Sequence, residues 1–203
     1  MSEVLELGDA VGAGLAHAHG KGVVHRDLKP HNVLASRSAD RGTGRRWTIL
    51  DFGISKPLDS SGTLTGADGV LGTPSYMSPE QARGHPLDSR SDLFALSSVL
   101  YRAATGRPAF PGKDAPGIMF DVVYCMPEQP SQQIEGIAPD VDLAFAVALA
   151  KEPARRFGSA VELMTALRDA VQGKLAEPLR ARGRALLADA PWGSRPDFKR
   201  DRR

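Results

Sequence analysis

His25-Arg26-Asp27-Leu28-Lys29-Pro30-His31-Asn32, followed downstream by Asp51-Phe52-Gly53, is the stretch on which the reading of this chain turns. It sets out two carboxylates, a lysine and an amide, and what lies on either side decides how they are held. Upstream, Val4, Leu7, Val11 and Leu15 fall at steps of three and four, so they share one face of a helix expected from about Ser2 to His19. Gly20 and Gly22 are expected to close that helix, and Val23-Val24 lead into the loop. Between the two runs, Asn32 to Ala35 and Trp47 to Leu50 are β-prone and are separated by the charged, Gly-containing Ser36 to Arg46. That pattern predicts a small ribbon ending at Asp51. Residues Ile54 to Met77 have few apolar anchors and read as a functional surface loop. Helices follow over Asp92 to Thr105, apolar nearly all round, then Asp114 to Tyr124, Asp140 to Lys151 and Ser159 to Val171. The fold class is mainly α, a helical bundle in which a short β-ribbon carries the two loops.

Bulk properties narrow the setting. At 203 residues and 41% apolar composition the chain can bury one substantial core. Its longest apolar run, Val141 to Ala150, is far short of the roughly 18 to 20 residues that span a bilayer, and its N-terminus is acidic. A single cysteine, Cys125, cannot form an internal disulfide and reads as a packing residue. Together these features predict a cytoplasmic protein with no membrane span. From Gly173 onward nine Lys or Arg face four acids, so residues 173–203 read as a basic, loosely ordered tail after a domain of residues 1–172. His17 and His19, two apart at a helix end, are poorly spaced for chelation. An aromatic fraction of 6% offers no base-stacking platform, and nucleic acid is not the expected partner.

The residue types suit phosphoryl transfer, which needs in-line positioning and charge neutralisation more than covalent work. A carboxylate must accept the proton of the attacking hydroxyl, and Asp27 is the candidate. Lys29 can bring an ammonium to the phosphoryl oxygens. Asn32 and Asp51 offer one neutral and one charged oxygen, a pairing that suits Mg²⁺. Gly53 leaves the turn after Phe52 free to hold Asp51 inward.

The same residues are a known kinase signature, and further runs follow in the same order. They are Gly72-Thr73-Pro74-Ser75-Tyr76-Met77-Ser78-Pro79-Glu80, Asp88 to Leu96, Thr105-Gly106-Arg107-Pro108-Ala109-Phe110 and Lys151 to Phe157. From Ser2 to about Val171 the chain resembles the C-terminal lobe of the eukaryotic-like Ser/Thr protein kinases of bacteria. The resemblance implies ATP and Mg²⁺ as cofactors, with Asp27, Lys29 and Asn32 catalytic and Lys29, Asn32, Leu34 and Asp51 around the nucleotide. Asn32 and Asp51 would bind the metal, and Leu34 would floor the adenine pocket. Thr73 would bridge Asp27 and Lys29 on the substrate side, and Lys29 marks the Ser/Thr class. Arg26 implies control by phosphorylation of the following loop, at Thr65 or secondarily Thr63. Glu80 and Arg156 match a buried ion pair, and Asp92 matches a carboxylate that holds the catalytic-loop backbone.

The chain departs from the family where an N-lobe belongs. No Gly-rich loop, no strand lysine and no helix with its partner glutamate precede His25. The loop between Asn32 and Asp51 is longer than the family's usual turn, and Ser97 stands at a common helix glycine. Three readings follow. The favoured one is the catalytic lobe of a Ser/Thr kinase acting on protein hydroxyls, with an N-lobe supplied by an upstream segment or a partner. The second is a catalytically silent, pseudokinase-like binding module. The third gives the basic tail the leading part, as a contact for nucleic acid or an anionic surface.

Overall fold

The apolar stripe of Val4, Leu7, Val11 and Leu15 forms the inner face of α1 (Ser2–His19), where Val11 and Leu15 are fully buried. The computed structural model describes residues 1–37, 45–51 and 74–196. Phe52, Gly53, Thr63, Thr65 and Thr73 lie outside the described residues. Two glycines set how closely α1 is packed. A Cβ on Gly8 would fall 2.4 Å from Met164 Cε, and one on Gly12 would press on Met164 Cγ at 3.3 Å. At the end of α1 Gly20 keeps right-handed backbone, and Gly22, at φ 73, makes the reversal into the loop.

The ribbon pairs β1 (Val33–Arg37) with β2 (Arg45–Ile49), antiparallel, with Val33 opposite Ile49 and Ala35 opposite Trp47. Asn32 belongs to a 3-10 turn over Pro30–Asn32 and not to the strand, yet its carbonyl accepts the Leu50 N–H at 2.8 Å. The ladder therefore extends to the residue before Asp51.

After the short α2 (Pro79–Ala82), the central helix α3 (Ser89–Thr105) is buried at every residue from Ser91 through Tyr101. A helix apolar nearly all round must be wrapped in this way. Asp88 caps it, accepting the Arg90 N–H at 2.8 Å, and Gly106 closes it at φ 75. The hydroxyls of Ser97 and Ser98 donate to Leu93 O and Phe94 O at 2.6 and 3.0 Å, so two polar groups enter the core without loss. Against α3 lie α1 and α5 (Asp140–Ala148), while α6 (Ala160–Val171) packs on α1 and α5 and α4 (Ala115–Tyr124) packs on α2. Phe94 stacks on Phe110 with centroids 5.8 Å apart, and Tyr101 meets Phe145 edge-on.

The expected loosely ordered tail requires correction as far as residue 196. Residues Glu177–Asp189 form α7, which lies on α5 so closely that a Cβ on Gly183 would sit 2.8 Å from Leu143 O. Leu175 and Leu186 join the core. Arg180 grips Asp140 through two hydrogen bonds of 2.8 and 2.7 Å, and the Leu175 N–H donates to the same carboxylate. The Arg180 guanidinium holds the Asp140 carboxyl below its usual range. Leu179, Gly183 and Leu186 recur at steps of four and three, a helical stripe that the count of arginines hides. Among the described residues no helix is long and apolar enough to cross a membrane.

Candidate active site

One carboxylate from the centre of the bundle holds the loop. Asp92, buried on α3, accepts the backbone N–H of His25 at 2.8 Å and of Arg26 at 2.9 Å, and it also meets His19 Nε2 at 2.8 Å. Arg26 has φ 68, a left-handed conformation that costs a non-glycine residue about 1–3 kcal/mol and persists only where neighbours impose it. The Asp92 hydrogen bonds supply that imposition from below. Histidine 19, read from the sequence as an ordinary helix-end residue, is part of the support.

The left-handed turn at Arg26 presents Asp27 at the surface. Lys29 Nζ lies 2.8 Å from Asp27 Oδ2, and Asn32 Nδ2 donates to Asp27 O at 2.7 Å, with its distance to Oδ2 being 3.4 Å. Three predicted site residues are therefore brought together. Using Nδ2 toward Asp27 leaves Asn32 Oδ1 as the atom to offer a cation. Asp51, itself left-handed at φ 51, follows Leu50, whose N–H bonds Asn32 O and whose carbonyl meets His25 Nε2 at 3.1 Å. Both backbone polar groups of Leu50 are thus tied to the His25–Asn32 run. Leu34 is half exposed on β1.

A second, buried frame is built around Arg156. Its guanidinium makes two hydrogen bonds to Glu80, of 2.8 and 2.6 Å, and donates to the carbonyls of Ala150, Arg90 and Lys151 at 2.7 to 3.0 Å. Ser91 Oγ donates to Glu80 Oε1 at 2.7 Å, and Phe94 lies under the guanidinium at 4.8 Å. Burial alone would raise the Glu80 carboxyl, but Arg156 and Ser91 outweigh it and hold that group below its usual range. Two further polar residues went unread in the sequence. Gln81 Nε2 donates to Arg26 O at 2.7 Å. Lys151 Nζ donates to Val122 O at 2.7 Å and lies 4.1 Å from the Phe110 ring centre, and burial pushes its amine down to about 7.

Among the described residues no group of three or more His, Cys, Asp or Glu is gathered as a metal site. A site that draws its remaining ligands from phosphates and water needs fewer protein oxygens, and Asn32 and Asp51 have that donor chemistry.

Comparison with known families matches residues 2–165 to the protein kinase domain. The chain belongs to the protein kinase family. It is 39% identical over 149 residues to the serine/threonine-protein kinase PknB of Mycobacterium leprae, covering 73% of this chain and 23% of that protein. It is 36% identical to the probable serine/threonine-protein kinase PknB of Bifidobacterium longum, over 92% of this chain and 26% of the relative. The probable serine/threonine-protein kinase SCO3848 of Streptomyces coelicolor is 34% identical over 95% of this chain and 28% of its own length. The chain thus spans about a quarter of the length of the curated relatives it matches. A helical bundle whose described residues hold one two-stranded sheet is the C-lobe architecture of a eukaryotic-like Ser/Thr kinase domain, without the β-rich N-lobe.

Proposed function

We propose that this chain is the catalytic C-lobe of a Ser/Thr protein kinase, which transfers the γ-phosphoryl group of ATP to Ser or Thr hydroxyls of a protein once an N-lobe completes the cleft. The observation that carries this reading is the surface placement of the Asp27 carboxylate 2.8 Å from Lys29 Nζ, on a loop strained at Arg26 and tied to Asp92. Asp27 accepts the proton of the attacking hydroxyl, which is worth about 10²- to 10⁴-fold in rate for a well-placed base. Lys29, 2.8 Å from that carboxylate, brings positive charge to the oxygens of the transferring group. Asn32 and Asp51 would hold Mg²⁺, which neutralises the phosphate charge when bound. Leu34 would floor the adenine site, and Thr73 would bridge Asp27 and Lys29. Phosphorylation at Thr65 or Thr63 would supply a dianion, the charge that the exposed Arg26 is suited to pair with.

An N-lobe, from an upstream segment or a partner, supplies the opposite wall of the nucleotide cleft. On its own the chain should bind ATP no tighter than about 1 mM, near −4 kcal/mol. Titration calorimetry checks this, and a nanomolar to low-micromolar dissociation constant contradicts it. The activity itself is tested by fusing the N-lobe of the Mycobacterium leprae relative ahead of Ser2 and following phosphate incorporation into Ser/Thr peptides. Transfer by the fusion and its loss in D27N are expected. A folded fusion with no transfer overturns the catalytic reading.

A further inference from the structure

Resting on the reading of Asp27 as proton acceptor, we propose that Gln81 is a positioning residue of the catalytic loop, fixing the Arg26–Asp27 peptide from the substrate side.

The direction of the Asp27 side chain depends on the peptide after it, whose carbonyl Asn32 Nδ2 holds at 2.7 Å, and on the turn at Arg26 before it. A non-glycine residue at φ 68 relaxes unless both of its flanking peptides are held. The first is held by Asp92, whose two oxygens accept the His25 and Arg26 N–H groups. The second is held at its carbonyl, where Gln81 Nε2 donates to Arg26 O at 2.7 Å. The N–H of that same peptide, on Asp27, makes only a long contact of 3.3 Å to His25 Nδ1, so the carbonyl end bears most of the restraint. Losing the Gln81 amide lets this peptide rotate and carries Asp27 away from Lys29 and Asn32.

The geometry also explains why the restraint comes from α2. Gln81 is adjacent in sequence to Glu80, which Arg156 and Ser91 anchor in the core. Its own N–H is capped by Ser78 Oγ at 3.3 Å, so backbone and side chain are both located. The frame around the buried ion pair is therefore passed to the Arg26 carbonyl through Gln81, linking the segment that would seat the protein substrate to the base that receives its proton.

The test replaces Gln81 with Met, which keeps the length and removes the donor, and with Ala. In the 203-residue chain, amide hydrogen exchange at Arg26 and Asp27 is followed by NMR, with Leu96 to Tyr101 of α3 as internal reference. Exchange at Arg26 and Asp27 should rise at least about tenfold in both variants while α3 and the urea midpoint stay unchanged. Unchanged exchange at these two amides, or equal acceleration throughout α3, overturns the proposal. In the N-lobe fusion, Q81M should lower kcat by about 10- to 100-fold with the KM for ATP unaltered. A raised KM with kcat intact also overturns it. If the unmutated fusion transfers no phosphate, the catalytic reading fails by itself, and the exchange rates still decide whether Gln81 positions the loop.

Discussion

Asp92 shows how one residue can determine whether the His25–Asn32 loop has a shape at all. Its carboxylate meets two backbone N–H groups and an imidazole with 1% of the residue exposed, so no solvent can stand in when it is removed. Asp92→Ala should cost about 3 kcal/mol or more, since each buried donor left unmet is worth roughly 1–3 kcal/mol. A shift in the urea midpoint measures it, and a loss under 1 kcal/mol would show that the loop is held by other means. Asp27→Asn should behave in the opposite way. Its side chain is exposed and packs against little, so stability should change by less than about 0.5 kcal/mol while transfer in the fusion falls by two orders of magnitude or more. At this scale the sequence was legible wherever function and chain order coincide. Asp27, Lys29 and Asn32 lie within one turn of chain, and their meeting follows from local backbone. His19 and Gln81 were not legible, because each reaches its partner across a fold that brings distant segments together.

Among the elements, α2 and the segment after α5 are joined by one buried ion pair. The Glu80–Arg156 pair is buried and fully hydrogen-bonded, and breaking it from one side leaves a charge without water. Arg156→Met alone should destabilise the chain by about 3–5 kcal/mol, measured by urea unfolding. The double variant E80M/R156M should recover a good part of that loss, because no lone charge then remains. Equal losses in single and double variants would mean that the carbonyl contacts of Arg156, and not the ion pair, hold the frame. The ribbon illustrates a milder case. Its pairing was readable from two β-prone pieces, but the boundary at Asn32 was not, because the Pro30–Asn32 turn takes that residue out of the strand while keeping its carbonyl in the ladder.

At the level of the whole molecule the C-terminal segment changes most between sequence and structure. Ending the chain after Gly173 removes Leu175 and Leu186 from the core, strips the cover from α5 and leaves Asp140 without Arg180. Such a truncation should lower the melting temperature by at least about 10 °C, beyond what a solvated tail could do. An unchanged melting curve would return α7 to the role of an appendage. Lys151 adds a pH dependence. Burial pushes its amine down to about 7, well below the usual lysine range of about 10, so between these pH values the unfolded chain binds the extra proton. Stability should therefore rise from pH 7 toward pH 10 and lie at its lower plateau below 7, by no more than about 5 kcal/mol in all. The Val122 carbonyl and the Phe110 ring favour the ammonium and reduce the span. Lys151→Met should flatten this rise, and a slope that survives the substitution assigns it elsewhere.

What the sequence determined by itself is the set of groups that chemistry requires and the helices that bury their own stripes, because both are written in residues near each other along the chain. The placement of α7, the His19 and Gln81 contacts and the cage around Arg156 were decided only by tertiary structure. These depend on shape and on buried donors finding acceptors many residues away, quantities that a local pattern of charge or hydrophobicity does not record.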